Sequence, residues 1–293
     1  MIGAPADIRA GLPAPYNQLA FEHRRRGIFD DPAVDVFIDG ENSFAALHPR
    51  PVIDYTQYVP RQHKLNLGGY RASNDIVARR FAKISDLFPG RGDVLEIGAA
   101  EGDFLAKLRA ERPELRLLAV EPDRKTAEAR KAIGLAGDYP DLETAVSTGA
   151  SADTVCLFHV FEHIADPRAF LDIAGRLLKS GGRMIIEVPS LDDPLLSIYR
   201  CSAYEAFYFQ RQHPFVYSAR SLGRVLEANG FQVLEMRPYQ RYGLENHLTW
   251  LTHGKPGGDA QFKQMFGSLD QQYRQELEKA GKTDTIIAVA TPR

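Results

Sequence analysis

From residue 74 onward the apolar positions keep two rhythms. Ile76, Val77, Arg80, Phe81 and Ile84 recur at helical spacing, and Phe88-Pro89-Gly90 ends the run. Short apolar runs follow at 93–97, 115–121, 154–159 and 183–188, each bounded by turn residues, and they read as strands. Helical stretches at 103–112, 124–132 and 168–178 lie between them, with Gly181-Gly182 read as the break before the fourth strand. Strands alternating with helices predict an α/β fold whose parallel sheet is covered on both faces.

The pattern changes on either side. Residues 1–73 mix Pro, aromatic and charged residues without a sustained period, and read as an N-terminal extension with short helices; Tyr55, Tyr58 and Tyr70 fall there. Residues 190–217 are dense in aromatics (Tyr199, Tyr204, Phe207, Tyr208, Phe209, Phe215) but broken by charge, as in a helical insert or lid. A helix at 218–229 stops at Gly230, a strand follows at 231–236, and a last strand is expected at 285–290. Between those strands lie about forty residues with a helical stretch at 262–280, far more than a hairpin turn needs. The expected division is an extension or lid at 1–73, a core at 74–241 carrying the insert 190–217, a helical insertion at 242–283, and the closing strand at 284–293. Whether that insertion is a lid or a subunit contact in a homo-oligomer stays open.

Composition adds limits. A length of 293 residues suits one core with extensions, and 44% hydrophobic with 25% charged residues is ordinary soluble usage. The net charge of -2 offers no polyanion footprint, so no nucleic-acid partner is expected. Arg24-Arg25-Arg26, beside Glu22 and Asp30-Asp31, reads as a solvated helix face. Cys156 and Cys201 are too few for a disulfide framework or a four-thiolate metal site. No stretch reaches about 18 apolar residues, and the first thirty lack a signal-peptide pattern, so a cytoplasmic protein without membrane contact is expected.

The chemistry concentrates where the first strand ends. Gly98 allows a sharp turn and Gly102 clears space as a helix begins, which makes strand, glycine loop, helix. A dinucleotide fingerprint needs a third glycine where Ala100 stands, and Glu101 adds an anion beside the loop. A pyrophosphate is poorly served there; a ligand with a cationic sulfonium and an uncharged adenosine end suits the loop better.

Glu96-Ile97-Gly98-Ala99-Ala100-Glu101-Gly102, and the acidic end of Leu117-Leu118-Ala119-Val120-Glu121-Pro122-Asp123, resemble the first two motifs of class I S-adenosylmethionine-dependent methyltransferases. The resemblance implies a Rossmann-like, doubly wound, seven-stranded sheet in the order 3-2-1-4-5-7-6 with the last strand antiparallel. It implies S-adenosylmethionine as cofactor, held around Glu96, Gly98, Ala99, Ala100, Gly102 and Phe104, with Glu121 and Pro122 at the ribose. Asp138 and Tyr139 fall where the family contacts adenine, and Phe158 and His159 where it walls the cofactor. Two acceptor oxygens let a carboxylate take both ribose hydroxyls, although Glu121 could instead be a surface carboxylate opening a helix. A plain turn accounts for Gly137-Asp138-Tyr139-Pro140 equally well.

The run 154–167 resembles the family passage in which a strand ends near the transferred methyl and a Glu-His pair, here Glu162-His163, follows. His163 is the preferred general base, His159 a wall of the site, and His213 a second acid-base candidate, each with a structural alternative. His159, Glu162, His163 and His213 could together suggest a metal site, but no H-E-x-x-H spacing occurs, so a metal-free site is expected. The passage from His213 to Phe231 resembles the small-molecule branch, including enzymes that tailor sugars. The expected reaction is O-methylation of a saccharide, sugar nucleotide or other hydroxylated metabolite. N-, C- or carboxyl-methylation, a cofactor-binding regulator without turnover, and a nicotinamide enzyme are the alternatives.

Overall fold

The structure is a computed structural model that describes residues 5, 7–53 and 74–293; Tyr55, Tyr58 and Tyr70 lie outside the described residues. In chain order the elements are β1 (Phe21–Arg25), β2 (Asp35–Asp39), β3 (Phe44–His48), α1 (Asn74–Ile84), β4 (Gly92–Ile97), α2 (Asp103–Glu111) and β5 (Leu115–Val120). Next come α3 (Ala127–Lys131), β6 (Gly137–Tyr139), α4 (Leu142–Ser147), β7 (Ala152–Phe158), α5 (Pro167–Gly175) and β8 (Leu178–Pro189). The insert holds α6 (Pro194–Ser197), α7 (Ser202–Tyr208) and β9 (Phe215–Tyr217). The chain closes with α8 (Ala219–Ala228), β10 (Phe231–Tyr239), α9 (Leu244–His253), α10 (Ala260–Phe266), α11 (Asp270–Lys279) and β11 (Thr285–Pro292).

A seven-stranded mixed sheet runs β6-β5-β4-β7-β8-β11-β10, with β11 antiparallel to both neighbours and β4 to β8 parallel. Alternate residues of each strand feed opposite faces. Leu95, Ile97, Leu118, Val155, Leu157 and Ile186 pack with α5 and α8, whereas Val94, Leu117, Cys156 and Ile185 pack with α1 and α2. Both faces are buried, which is why these strands read as unbroken apolar runs; each such side chain is worth about 1.5–3 kcal/mol.

Residues 21–48 are not helical. β1, β2 and β3 join β9 in a four-stranded sheet, antiparallel throughout, so the extension and the aromatic insert are one piece of structure. Phe37, Phe44, Ala46, Phe215 and Tyr217 of this sheet face the core, while Val36, Ile38, Ala45, Leu47 and Val216 face α6, α7 and Trp250. Burial on both faces erased the alternation that marks a strand. The turn after β2 is built by Asp39, whose carboxylate accepts Ser43 N (2.6 Å), Phe44 N (2.8 Å) and Ser43 Oγ (2.9 Å). Arg24 and Arg25 thus lie on a strand rather than a helix face, and Arg24 pairs with Glu205 of α7 at 2.8 Å.

Three smaller corrections concern breaks. Gly181-Gly182 lies inside β8, whose register against β7 shifts between Ala152 and Thr154; Gly181 takes φ 75°. The stretch 262–280 is two helices parted by a 3-10 turn, Gly267–Leu269, and α9 precedes them with Gly254 (φ 63°) at its end. Gly137–Tyr139 is an edge strand rather than a plain turn. Among the described residues no helix is long and apolar enough to cross a membrane.

Candidate active site

The parallel strands end level with one another: Ile97 pairs with Val120 and Leu157, and Phe158 with Glu187. Sequence order reverses between β4 and β7, and in open α/β sheets that crevice is where a ligand sits. Two non-glycine residues at this edge adopt left-handed backbone, Ala100 (φ 47°) after β4 and His159 (φ 56°) after β7. Such strain costs on the order of 1–2 kcal/mol per residue and persists where surrounding contacts hold it.

At Ala100 those contacts are visible. Its N–H donates to Glu121 Oε2 (2.8 Å), and its carbonyl accepts from Arg130, a fully buried side chain that also reaches Thr126 Oγ1 (2.6 Å). Gly98 (φ 74°) passes so close to Val160 that a Cβ there would collide with that side chain; one on Gly102 (φ 84°) would meet Ile133 and Arg130. Glu121 is buried and turned to the loop, with Oε1 accepting Asp123 N at 2.7 Å. Capping of the following turn falls to Asp123, which accepts Lys125 N at 2.9 Å. Each Glu121 oxygen keeps a second acceptor lone pair.

Around this loop the remaining candidates divide. Ala99 is buried and Pro122 exposed. Phe104 and Phe158 pack against each other (ring centroids 4.6 Å apart), with Phe81 and Phe88 beside Phe104, so they floor the site from the core. Asp138 is held by Arg124 (3.4 Å) and Arg130 (3.2 Å), and the Tyr139 carbonyl accepts Glu121 N. Glu96 is buried, and its Oε2 lacks a hydrogen-bond partner among the described residues. Burial pushes its carboxyl up to about 8, against the pull of Arg80.

At the ends of β7 and β8 stands a charged cluster. The fully buried Glu187 carboxylate is gripped by Arg80 through two 2.8 Å bonds, and His159 Nε2 lies 3.0 Å from its Oε1. Burial alone would raise the Glu187 carboxyl, but Arg80 and His159 hold it well below the usual range. Arg241 Nη1 reaches His159 Nε2 at 2.5 Å, and His159 Nδ1 meets Glu162 Oε1 at 3.1 Å. Glu162 is buried too; burial opposes its charge, yet His159 draws its carboxyl down to about 2.

His163 and His213 meet edge to face, ring centroids 4.9 Å apart. His163 ends the 3-10 turn Phe161–His163, and His213 lies in the insert just before β9. Burial lowers the His163 imidazole. Ligand atoms of Glu162, His163 and His213 all lie within 4.8 Å of one another. The three histidines named from sequence therefore gather at one strand end. The helix cap after β9 is Ser218, through a capping box with Ser221, and needs nothing from His213.

Arg80, Glu187 and Arg241 were not assigned site roles from sequence, and Glu162 entered only beside the histidines, in the Glu-His pair. Arg80 left a signal: a charged residue inside the apolar stripe of α1 must find a buried partner. The aromatic insert is mostly packing. Tyr204, Tyr208, Phe209 and Phe215 are buried, with the Tyr204 hydroxyl donating to Asp193 Oδ2 (2.7 Å) and that of Tyr208 to the Ser190 carbonyl (2.7 Å); Tyr199 is exposed.

Residues 69–236 match a family model described as a methyltransferase domain. No curated protein matches the chain in sequence. Among solved structures, an S-adenosylmethionine-dependent methyltransferase from Archaeoglobus fulgidus is similar at 19% identity and TM-score 0.53, covering 78% of this chain and 98% of its own. A Thermotoga maritima S-adenosylmethionine-dependent methyltransferase, a possible histamine N-methyltransferase, has 19% identity and TM-score 0.50, with 80% and 97% covered. The mitomycin 7-O-methyltransferase has 15% identity and TM-score 0.51, with 81% and 59% covered. At these identities the likeness concerns the fold.

Proposed function

Since the chain belongs to the methyltransferase-domain family, whose methyl donor is S-adenosylmethionine, we propose that it methylates a hydroxyl of a small polar acceptor, a saccharide or sugar nucleotide being the first class to test. The observation that carries this reading is the gathering of His159, Glu162, His163 and His213 beside the strained loop of Gly98 to Gly102.

The residues fit the cofactor. Glu96 has a buried oxygen without a partner among the described residues, suited to an ammonium; Glu121 keeps acceptor capacity for vicinal hydroxyls; Gly98, without a Cβ, lets the loop turn at φ 74° tight against Val160. Asp138 and Tyr139 stand at the adenine end, where the two arginines on Asp138 fix its carboxylate. When bound, the cofactor supplies an electrophilic methyl group on a sulfonium. The protein's own task is to align the acceptor and take up the proton a hydroxyl releases.

His163 is the residue for that proton, in a half-buried position beside His213, while His159 is occupied by Glu162, Glu187 and Arg241 and serves as a wall. The partly exposed polar side chains of Arg241 and His159 at this strand end favour a polyhydroxylated acceptor over a flat apolar one. A screen with methyl-labelled S-adenosylmethionine tests this, reading label on monosaccharides, sugar nucleotides, phenols, amines and carboxylates. Label on hydroxyls is expected; label confined to nitrogen, carbon or carboxylate acceptors would overturn the O-methylation reading. S-Adenosylhomocysteine binding without turnover on any acceptor would favour a regulator instead. Replacing His163 with Ala should cut turnover at least 10²-fold, the usual share of a general base, and leave S-adenosylhomocysteine affinity within about twofold. Equal loss of both would make His163 structural.

A further inference from the structure

We infer that Glu162, His163 and His213 form a binding site for one divalent transition-metal ion, with an open coordination position toward the acceptor. Two imidazoles and one carboxylate come within 4.8 Å of each other from two separate parts of the chain, the turn after β7 and the segment before β9. Bonds of about 2.1 Å put tetrahedral ligands about 3.4 Å apart, so closure asks for shifts on the order of 1 Å. His163 and His213 are only half-buried, which leaves an approach for the ion.

Glu162 supplies an independent observation. It is 2% exposed, its Oε1 is taken by His159 Nδ1, and its Oε2 has no hydrogen-bond partner among the described residues. A buried carboxylate oxygen left bare costs on the order of 1–3 kcal/mol or more, and a cation is a ligand that repays this. The surroundings are also those of ligands held from behind: His159 orients the Glu162 carboxylate, and His163 hydrogen-bonds the Gln212 backbone. Two nitrogen donors and one oxygen select Zn, Co, Fe or Mn over Mg and Ca, which prefer all-oxygen shells.

The H-E-x-x-H test behind the metal-free expectation asks for ligands on one helix, whereas here β9 brings His213 to the Glu-His pair. The ion's role rests on the proposed hydroxyl acceptor: with the ion bound, His163 is a ligand rather than the base, and coordination would lower the hydroxyl's pKa and fix its oxygen, the released proton passing to solvent. Its binding does not rest on that reading.

The test is titration of the full chain, without a polyhistidine tag, with Co²⁺, followed by visible absorption, with S-adenosylhomocysteine affinity as the fold control. One ion per chain is expected, bound at least tenfold more weakly by His213→Ala and by Glu162→Gln, while the His213→Ala variant binds S-adenosylhomocysteine within about twofold of the wild type. Saturable absorption that is absent from the wild type, or unchanged in both variants, would overturn the site. Failure of every hydroxyl acceptor in the labelling screen would leave the Co²⁺ result standing, which separates the two readings.

Discussion

Glu96 and Glu187 are both buried acids, and their neighbours send them in opposite directions. Glu96 rises to about 8, while Arg80 keeps Glu187 ionised. A carboxyl raised from 4.5 in the unfolded chain to about 8 in the fold binds its proton more tightly when folded. Its contribution is therefore full below about pH 4.5 and is lost as pH rises toward 8. Urea unfolding between pH 5 and 9 should show this decline in the wild type and a flatter profile in Glu96→Gln; superimposable profiles would contradict it. An ammonium seated on Glu96 favours the charged form, so S-adenosylhomocysteine binding near pH 7 should release protons, read by calorimetry in buffers of different ionisation enthalpy. Removing Arg80 leaves Glu187 buried without its cation. Arg80→Ala should cost about 3–5 kcal/mol in denaturant unfolding, and a loss under about 1 kcal/mol would mean that solvent or Arg241 takes over.

The elements divide by how many faces they bury. The strands of the main sheet were legible because four short apolar runs alternate with helical ones, and glycines punctuate their ends. β1 to β3 were not: Asp35–Asp39 and Phe44–His48 have packed side chains on both faces, which leaves no polar alternation to count. Asp39-Gly40 between two apolar runs was the remaining hairpin signal. Phe44 joins the small sheet to the core, stacking on Tyr16 (4.2 Å) and Phe215 (5.5 Å) and meeting Tyr217 at a tilt (5.5 Å). Phe44→Ala should destabilise by about 3–5 kcal/mol in urea unfolding, and a cost below about 1 kcal/mol would show that this sheet folds independently of the core.

Across the whole molecule, the glycine loop after β4 could be read from one contiguous stretch of chain, because a strand, a glycine loop and a helix are local. The charged cluster at the ends of β7 and β8 could not, since Arg80, Glu187, Arg241 and His213 come from four separate parts of the chain that only the completed sheets bring together. His213 reaches His163 because β9 pairs with β3, a contact that no periodicity announces. The central claim is that the loop after β4 and Glu121 hold S-adenosylmethionine, and calorimetry on the wild type and Glu121→Ala tests it most directly. S-Adenosylhomocysteine should bind in preference to NAD, and the substitution should weaken it by about 1.5–3 kcal/mol, the range for hydrogen bonds to a charged group. Preferential binding of NAD, or an affinity unchanged by the loss of the carboxylate, would contradict the account.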